Sequence, residues 1–388
     1  MAGQAPPLHH MLAGLIAAPS VSSSRPHLDQ SNLPVLDALA PWLEGAGFRV
    51  EILPVPGHPG KANLVATLGQ GPGGLVLAGH TDTVPFDAHR WNHDPFRITE
   101  DGGRLYGLGT SDMKSFLALA IEAARGLRAQ DLRRPLVILA TADEESSMSG
   151  AIALAEAGRP LGRYAVIGEP TGLMPVRMHK GILAEAIRLI GRAGHSSDPS
   201  LGNNALEGMH ALIGDLLAWR VELQARYRND AFAVAVPTLN LGHIHGGDSP
   251  NRICGECELH IDLRPTPGLV LDDLRAELHQ RVGDLAGRRG LDWTVERLFP
   301  GIPAVETPAG SAIVAAGEAL TGHTAGAVAF ATEAPFLDRL GMETLILGPG
   351  DIAQAHQPDE YLETARIAPT IELLRALIRQ FCQDEAAP

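Results

Sequence analysis

The chain is poor in cysteine and in aromatic residues: three cysteines (Cys254, Cys257, Cys382) in 388 residues, and 4% Phe, Trp and Tyr. Three cysteines make no disulfide framework, and so few point to a reducing, cytoplasmic setting. Cys254 and Cys257 form a C-x-x-C by spacing alone. Their surroundings alternate apolar and polar residues as a strand does, whereas a redox pair sits at the start of a helix. Positive charge is also short, with 31 Lys and Arg against 45 Asp and Glu and a net charge of -14. That leaves no basic face for phosphates, so neither a nucleic-acid partner nor an anionic membrane is expected. No stretch approaches the roughly 20 apolar residues of a membrane span. The first residues lack the basic start and apolar core of a secretory signal. There is no internal repeat and no low-complexity tract.

What the chain does have is apolar mass (45%) and many turn formers (43 glycines, 29 prolines). A chain this long is expected to divide into two domains. Short apolar runs at 75–78, 136–140 and 164–167 alternate with helical patterns at 33–46, 115–127 and 151–157, which reads as an α/β layer with a largely parallel sheet flanked by helices. The texture changes after Lys180. Strand patterns at 181–190, 238–244 and 257–263 mix with helical ones at 205–226 and 271–281, as in a compact inserted α+β domain. On 205–226 the apolar side is read as Leu206, Met209, Ile213, Leu216 and Leu217. The α/β pattern resumes with a helix at 311–320, a strand at 344–347 and a last long helix at 362–381. The expected domains are 1–180 and 293–388, together forming the catalytic domain, and 181–292, the insert.

Acids and imidazoles follow the apolar runs: His80 and Asp82, Asp112, Asp143-Glu144-Glu145, Glu169 and, far along, His356. Asp82 lies two residues after His80, on the same side of an extended segment, where it can hold the imidazole's other nitrogen. Asp112 precedes a helix and is read either as a cap or as a carboxylate shared by two cations. Three successive acids at a strand end repel one another, a penalty that a bound cation removes. One of them can bind metal while a neighbour takes a proton from water. Such oxygen and imidazole donors, without thiolate, suit zinc, cobalt or manganese. His195 lies in a glycine-rich loop. Arg264 is read as a fork for a carboxylate or as the ion-pair partner of a nearby acid.

The segments Gly79-His80-Thr81-Asp82-Thr83-Val84-Pro85, Gly109-Thr110-Ser111-Asp112-Met113-Lys114, Thr141-Ala142-Asp143-Glu144-Glu145 and Gly168-Glu169-Pro170, in this order, resemble the dinuclear zinc metallopeptidase/deacylase family. The resemblance covers nearly the whole chain. Segments 237–248, 251–254, 332–336 and 348–360 resemble its amino-acid deacetylases, and 332–336 departs from its desuccinylases. The resemblance implies hydrolysis of the N-acyl amide of a small N-acyl amino acid. It implies two divalent ions per subunit (zinc first, cobalt also), one held by His80 and Glu169 and the other by Glu145 and His356. Asp112 would bridge them, with a cis peptide to Met113. Glu144 would be the general base and Asp82 would orient His80. The insert would be a ferredoxin-like dimerisation domain, with His195 reaching the partner subunit's site. Arg264, Asn251, Gly246, Gly247, Thr332, Glu333, Gly348 and Gly350 would contact substrate. A metal-binding scaffold without activity is disfavoured because Glu144 and Asp82 are both present.

Overall fold

The computed structural model describes residues 5–384 and divides the chain into two compact units. The first runs to Arg177 and resumes over Thr307–Gly326 and from Thr332 onward; the second takes Met178–Glu306 and Ala327–Ala331. The outermost residues of the expected larger domain, 1–4 and 385–388, lie outside the described residues. The second unit ends beyond the expected 292 because Asp292–Arg297, not foreseen from the sequence, pairs with Leu183–Ile190 along its full length. No helix among the described residues is long and apolar enough to cross a membrane.

In the first unit, four strands run parallel in the order Leu136–Thr141, Leu75–His80, Tyr164–Ile167, Glu343–Ile346. They are buried on both faces, as continuous apolar runs such as Leu136-Val137-Ile138-Leu139 require. The sheet as a whole is mixed rather than largely parallel. Arg49–Pro54 and Ala62–Leu68 form a hairpin that adds antiparallel to Leu136–Thr141. At the far side Val176 pairs antiparallel with Ile346. The helix Lys114–Ala123 is buried nearly all round, so its apolar residues show no single stripe. It packs with Leu8–Ile16, Leu33–Gly45 and Ile367–Ile378 into one core through Leu12, Leu36, Phe116 and Leu374.

Register decides where the chemistry goes. His80 pairs with Thr141, Ala78 with Ile167, and Ile167 with Ile346. Two of the parallel strands therefore end together at His80 and Thr141, and the other two end together at Ile167 and Ile346, two residues short of that level. The segments that follow them, beginning at Thr81, Ala142, Gly168 and Leu347, leave the same edge of the sheet, where ligands bind in open α/β sheets.

The second unit has a four-stranded antiparallel sheet in the order Thr238–Gly246, Glu256–Arg264, Leu183–Ile190, Asp292–Arg297, with helices Ala205–Arg226 and Leu271–Arg289. The strict alternation of burial along Glu256–Arg264 marks a sheet covered on one face. Asn204 caps the longer helix by accepting the Leu206 and Glu207 N–H groups on its side chain. That helix buries Met209, Leu212, Leu216, Trp219 and Leu223; Leu206, expected inside, is 47% exposed. The stripe is rotated toward Trp219, at helical spacing from Leu212 and Leu216 and the largest fully buried side chain. All three cysteines are free and buried, and Cys257 lies within a strand.

Candidate metal centre

The edge of the parallel sheet gathers the acids and imidazoles of the first unit. His80 ends its strand wholly buried. Its Nε2 lies 3.2 Å from Asp112 Oδ1, while Asp112 Oδ2 lies 3.6 Å from His356 Nε2. One carboxylate thus faces an imidazole with each oxygen. His356 Nε2 also meets Glu145 Oε2 at 3.0 Å. Two donor groups converge, His80 with Glu144 and Glu169, and His80 with Asp112 and Glu145; within each, the donor atoms lie within 4.8 Å of one another. Glu144 is therefore close enough to act as a donor itself. The peptide between Asp112 and Met113 is cis.

Asp82 does less for His80 than expected and more for the acidic turn. Its backbone carbonyl lies 3.0 Å from His80 Nδ1, its carboxylate 3.7 Å. The carboxylate instead accepts the N–H groups of Glu144 (3.2 Å) and Glu145 (3.0 Å). The turn is anchored again at Asp143, a non-glycine residue at φ 57. Such left-handed residues cost about 1–3 kcal/mol and cluster at functional sites. His356 (φ 61) is another.

Glu360 ties two of the loops together. Its carboxylate accepts the N–H groups of Gly109 (3.0 Å), Ser111 (2.7 Å) and Asp112 (2.9 Å). Nothing local in the sequence marks it for this role. Gly348 and Gly350 are packing glycines. A Cβ on Gly348 would sit 2.1 Å from the Gly168 carbonyl oxygen, and one on Gly350 2.1 Å from that of Ser111. Thr332 is buried and accepts the Ala334 N–H (3.1 Å). Glu333, also wholly buried, has its carboxyl pushed up to about 7 by burial, against the pull of Thr141 and His80.

Electrostatics show what the cluster is short of. Burial pushes Glu144 and Glu169 well above the usual carboxylate range, and each raises the other or is raised by neighbouring acids. Burial and then Asp112 raise Glu145. Burial works against a proton on His80, but Asp112 and the surrounding carboxylates outweigh it and hold its pKa well above the ordinary value. Glu169 Oε1 is buried with no hydrogen-bond partner. Crowded, desolvated carboxylates and an unpartnered oxygen are what a site for divalent cations requires. The set fits a pair of such ions: His80, Asp112, Glu144, Glu145, Glu169 and His356 could supply the donors, all nitrogen or oxygen.

The remaining expected site residues lie in the second unit. The strand pair Gly194–His195 with Arg252–Ile253 sets His195 beside Arg252, and the Ser196 N–H donates to the Asn251 carbonyl (3.0 Å). His195 is exposed, its Nδ1 2.7 Å from Ser197 Oγ. Gly246 pairs with Cys257, and Gly247 (φ 73) follows. Arg264 is not with them. It ends the strand Glu256–Arg264, about 23 Å from Cys257 at the rise of an extended chain, and it forks onto Asp262 at 2.8 and 3.0 Å. The nearby acid foreseen as an alternative is therefore present.

Comparison with known proteins agrees with this architecture. Over most of both chains, the fold matches an M20 family metallo-carboxypeptidase from Sulfolobus solfataricus (TM-score 0.73, 17% identity, 97% of this chain and 99% of that one). It also matches aminopeptidase PepT from Bacillus cereus (0.71, 20%, 97% and 99%) and a dinuclear metal binding peptidase from Bacillus subtilis (0.65, 16%, 96% and 97%). Residues 76–380 match peptidase family M20/M25/M40. The chain belongs to that family and is a metal-dependent hydrolase.

Proposed function

We propose that this hydrolase is an N-acyl amino acid deacylase that cleaves the acetyl amide of N2-acetyl-L-ornithine to ornithine and acetate, a step of arginine biosynthesis. The observation that carries the metal chemistry is the Asp112 carboxylate between His80 and His356. In this reading His80 and Glu169 hold one ion, Glu145 and His356 hold the other, and Asp112 is shared. Zinc is the first choice and cobalt the second. When bound, the ions would supply Lewis acidity toward an amide carbonyl and toward a water held at these residues. Glu144 takes the proton of that water and later hands it to the leaving nitrogen. Burial and neighbouring acids raise its proton affinity, bound cations would lower it again, and a proton carrier needs that balance. Asp82 and Asp143 hold the backbone on either side of Glu144, so the carboxylate moves little between the two transfers.

The choice of acetylornithine rests on segments 237–248, 251–254, 332–336 and 348–360. We read the second unit's strand-helix-strand-strand-helix-strand order as the ferredoxin-like arrangement and as the dimerisation domain of a cytoplasmic homodimer. His195 of one subunit would stabilise the oxyanion in its partner. Arg264, with Asn251, Gly246 and Gly247, would contact substrate, and Arg264 would exchange Asp262 for the substrate carboxylate. Glu333, Thr332, Gly348 and Gly350 would shape the site from the first unit.

One observation favours a second reading, a succinyl-diaminopimelate desuccinylase. A cleft of about 510 Å³ beside His356 is lined by Arg25, His27 and Arg90. Neither arginine has an ion-pair partner among the described residues, and both suit a second carboxylate. Turnover of metal-reconstituted protein on acetylornithine, acetylcitrulline, succinyl-diaminopimelate and a dipeptide separates the readings. Acetylornithine is expected to react fastest; turnover of the succinyl substrate alone would replace the first reading by the second.

A further inference from the structure

Lys61 is an ammonium group with little access to water. Its side chain is 4% exposed and lies between two carboxylates, Asp143 Oδ1 at 2.5 Å and Asp29 Oδ1 at 2.8 Å. An isolated buried charge costs several kcal/mol, and removing one partner of such a pair strands the other. Burial opposes the charge on Lys61, but the hydrogen bonds of Asp143 and Asp29 outweigh it and hold the pKa above the ordinary lysine value.

Both arms lead to functional segments. Asp143 immediately precedes Glu144 and accepts Ser22 Oγ and Ser149 Oγ (3.0 Å each) besides Lys61. On the other side Asp82 holds the next two N–H groups. The turn is thus clamped before and after the point from which the Glu144 side chain leaves. Asp29 belongs to a loop that Gln30 closes, its side chain accepting the Val21 N–H (3.0 Å) and its own N–H donating to the Val21 carbonyl (2.7 Å). Arg25, His27 and Leu28 of that loop line the cleft beside His356.

We propose that Lys61 is a positioning residue for the hydrolysis, setting Glu144 through Asp143 and the wall of the cleft through Asp29. It touches no reacting atom. The proposal rests on the reading of Glu144 as the proton carrier and is tested through separate effects on kcat and KM.

Lys61→Met keeps the stem and removes the charge. With both ions still bound, kcat is expected to fall at least about tenfold, as for other sub-ångström to ångström misplacements of a catalytic group. Lys61→Arg is expected to recover most of that loss. Asp29→Asn leaves the Asp143 pair in place and is expected to raise KM severalfold while kcat stays within about twofold, because binding, not proton transfer, is disturbed. Where Lys61→Met does not fold, Lys61→Gln replaces it. Full kcat per folded, metal-loaded molecule in the neutral variant overturns the proposal, and so does a loss matched by missing metal or by no recovery in Lys61→Arg. An equal fall of kcat in Asp29→Asn overturns the separation of the two arms. Glu144→Gln measured in parallel keeps the readings apart: turnover surviving there removes the proton-carrier assignment, while the Lys61 variants still report on kcat by themselves.

Discussion

The two ends of the Asp112 carboxylate face different worlds. Oδ1 meets His80, 1% exposed in its side chain, with Glu169 and Glu144 behind it; Oδ2 meets His356, 54% exposed, at the mouth of the cleft. The inner half is built on strand ends whose level is set by the parallel register. The outer half hangs on a loop that Glu360 ties back to the Asp112 turn. A cation held on the inner side would be walled off and would relieve crowded, buried carboxylates, whereas one held on the outer side would keep a route to solvent.

The sharpest way to break this comparison is Glu144→Gln, because Glu144 stands among the inner donors. Turnover is expected to fall by about 10²–10⁴-fold, the usual worth of a general base, with metal content unchanged by elemental analysis. Equal loss of metal would make Glu144 an inner ligand instead. Next in size is the order of metal loss. A chelator series on the wild-type protein is expected to release the outer ion well before the inner one. Asp82→Asn, which loosens the turn behind Glu144 and Glu145, is expected to weaken binding about 10–100-fold. Release of both ions at one chelator concentration would show that exposure does not separate the halves.

The pH dependence of the metal-free protein comes third. Burial holds Glu333 at about 7 and Glu360 at about 8, while the hydrogen bond of Glu145 holds His356 at about 9. All three lie above their unfolded values; over about pH 4.5 to 9 as a whole they outweigh Lys114, lowered by burial to about 7, and His179, lowered by burial to about 4, so the native state holds more protons on balance and stability falls as pH rises. Calorimetry is expected to show Tm falling by several degrees from pH 5 to 9 without metal, and a flatter curve once metal is added. A flat metal-free curve would mean that the crowding is relieved in another way. The smallest effect lies in the second unit, where no such charges gather. Leu206→Ser is expected to change stability by less than about 0.5 kcal/mol, whereas Leu212→Ala costs about 2–5 kcal/mol. Equal costs in denaturant melts would restore the face first read from the sequence.

The legible parts of the chain were those whose pattern is local. Leu136–Thr141 and Tyr164–Ile167 stand out as apolar runs, and Ala205–Arg226 as a long helix. Asp292–Arg297 was not legible, since its half-exposed residues gain meaning only beside Leu183–Ile190. The mixed sheet was hidden for the same reason: strand direction follows from connections, not composition. At the site, the acids announced themselves by repelling their neighbours in sequence. Lys61, in a glycine- and proline-rich turn, did not, because its partners Asp29 and Asp143 lie 32 and 82 residues away.

By itself, the order of residues determined which donors are offered and that several follow the ends of buried strands, because apolar runs and the acids after them are neighbours along the chain. Only the folded structure decided which oxygen faces which imidazole, that Asp82 serves the acidic turn more than His80, and that Arg264 forks onto Asp262. Those relations depend on strand register and loop path, which bring together groups that the sequence keeps far apart.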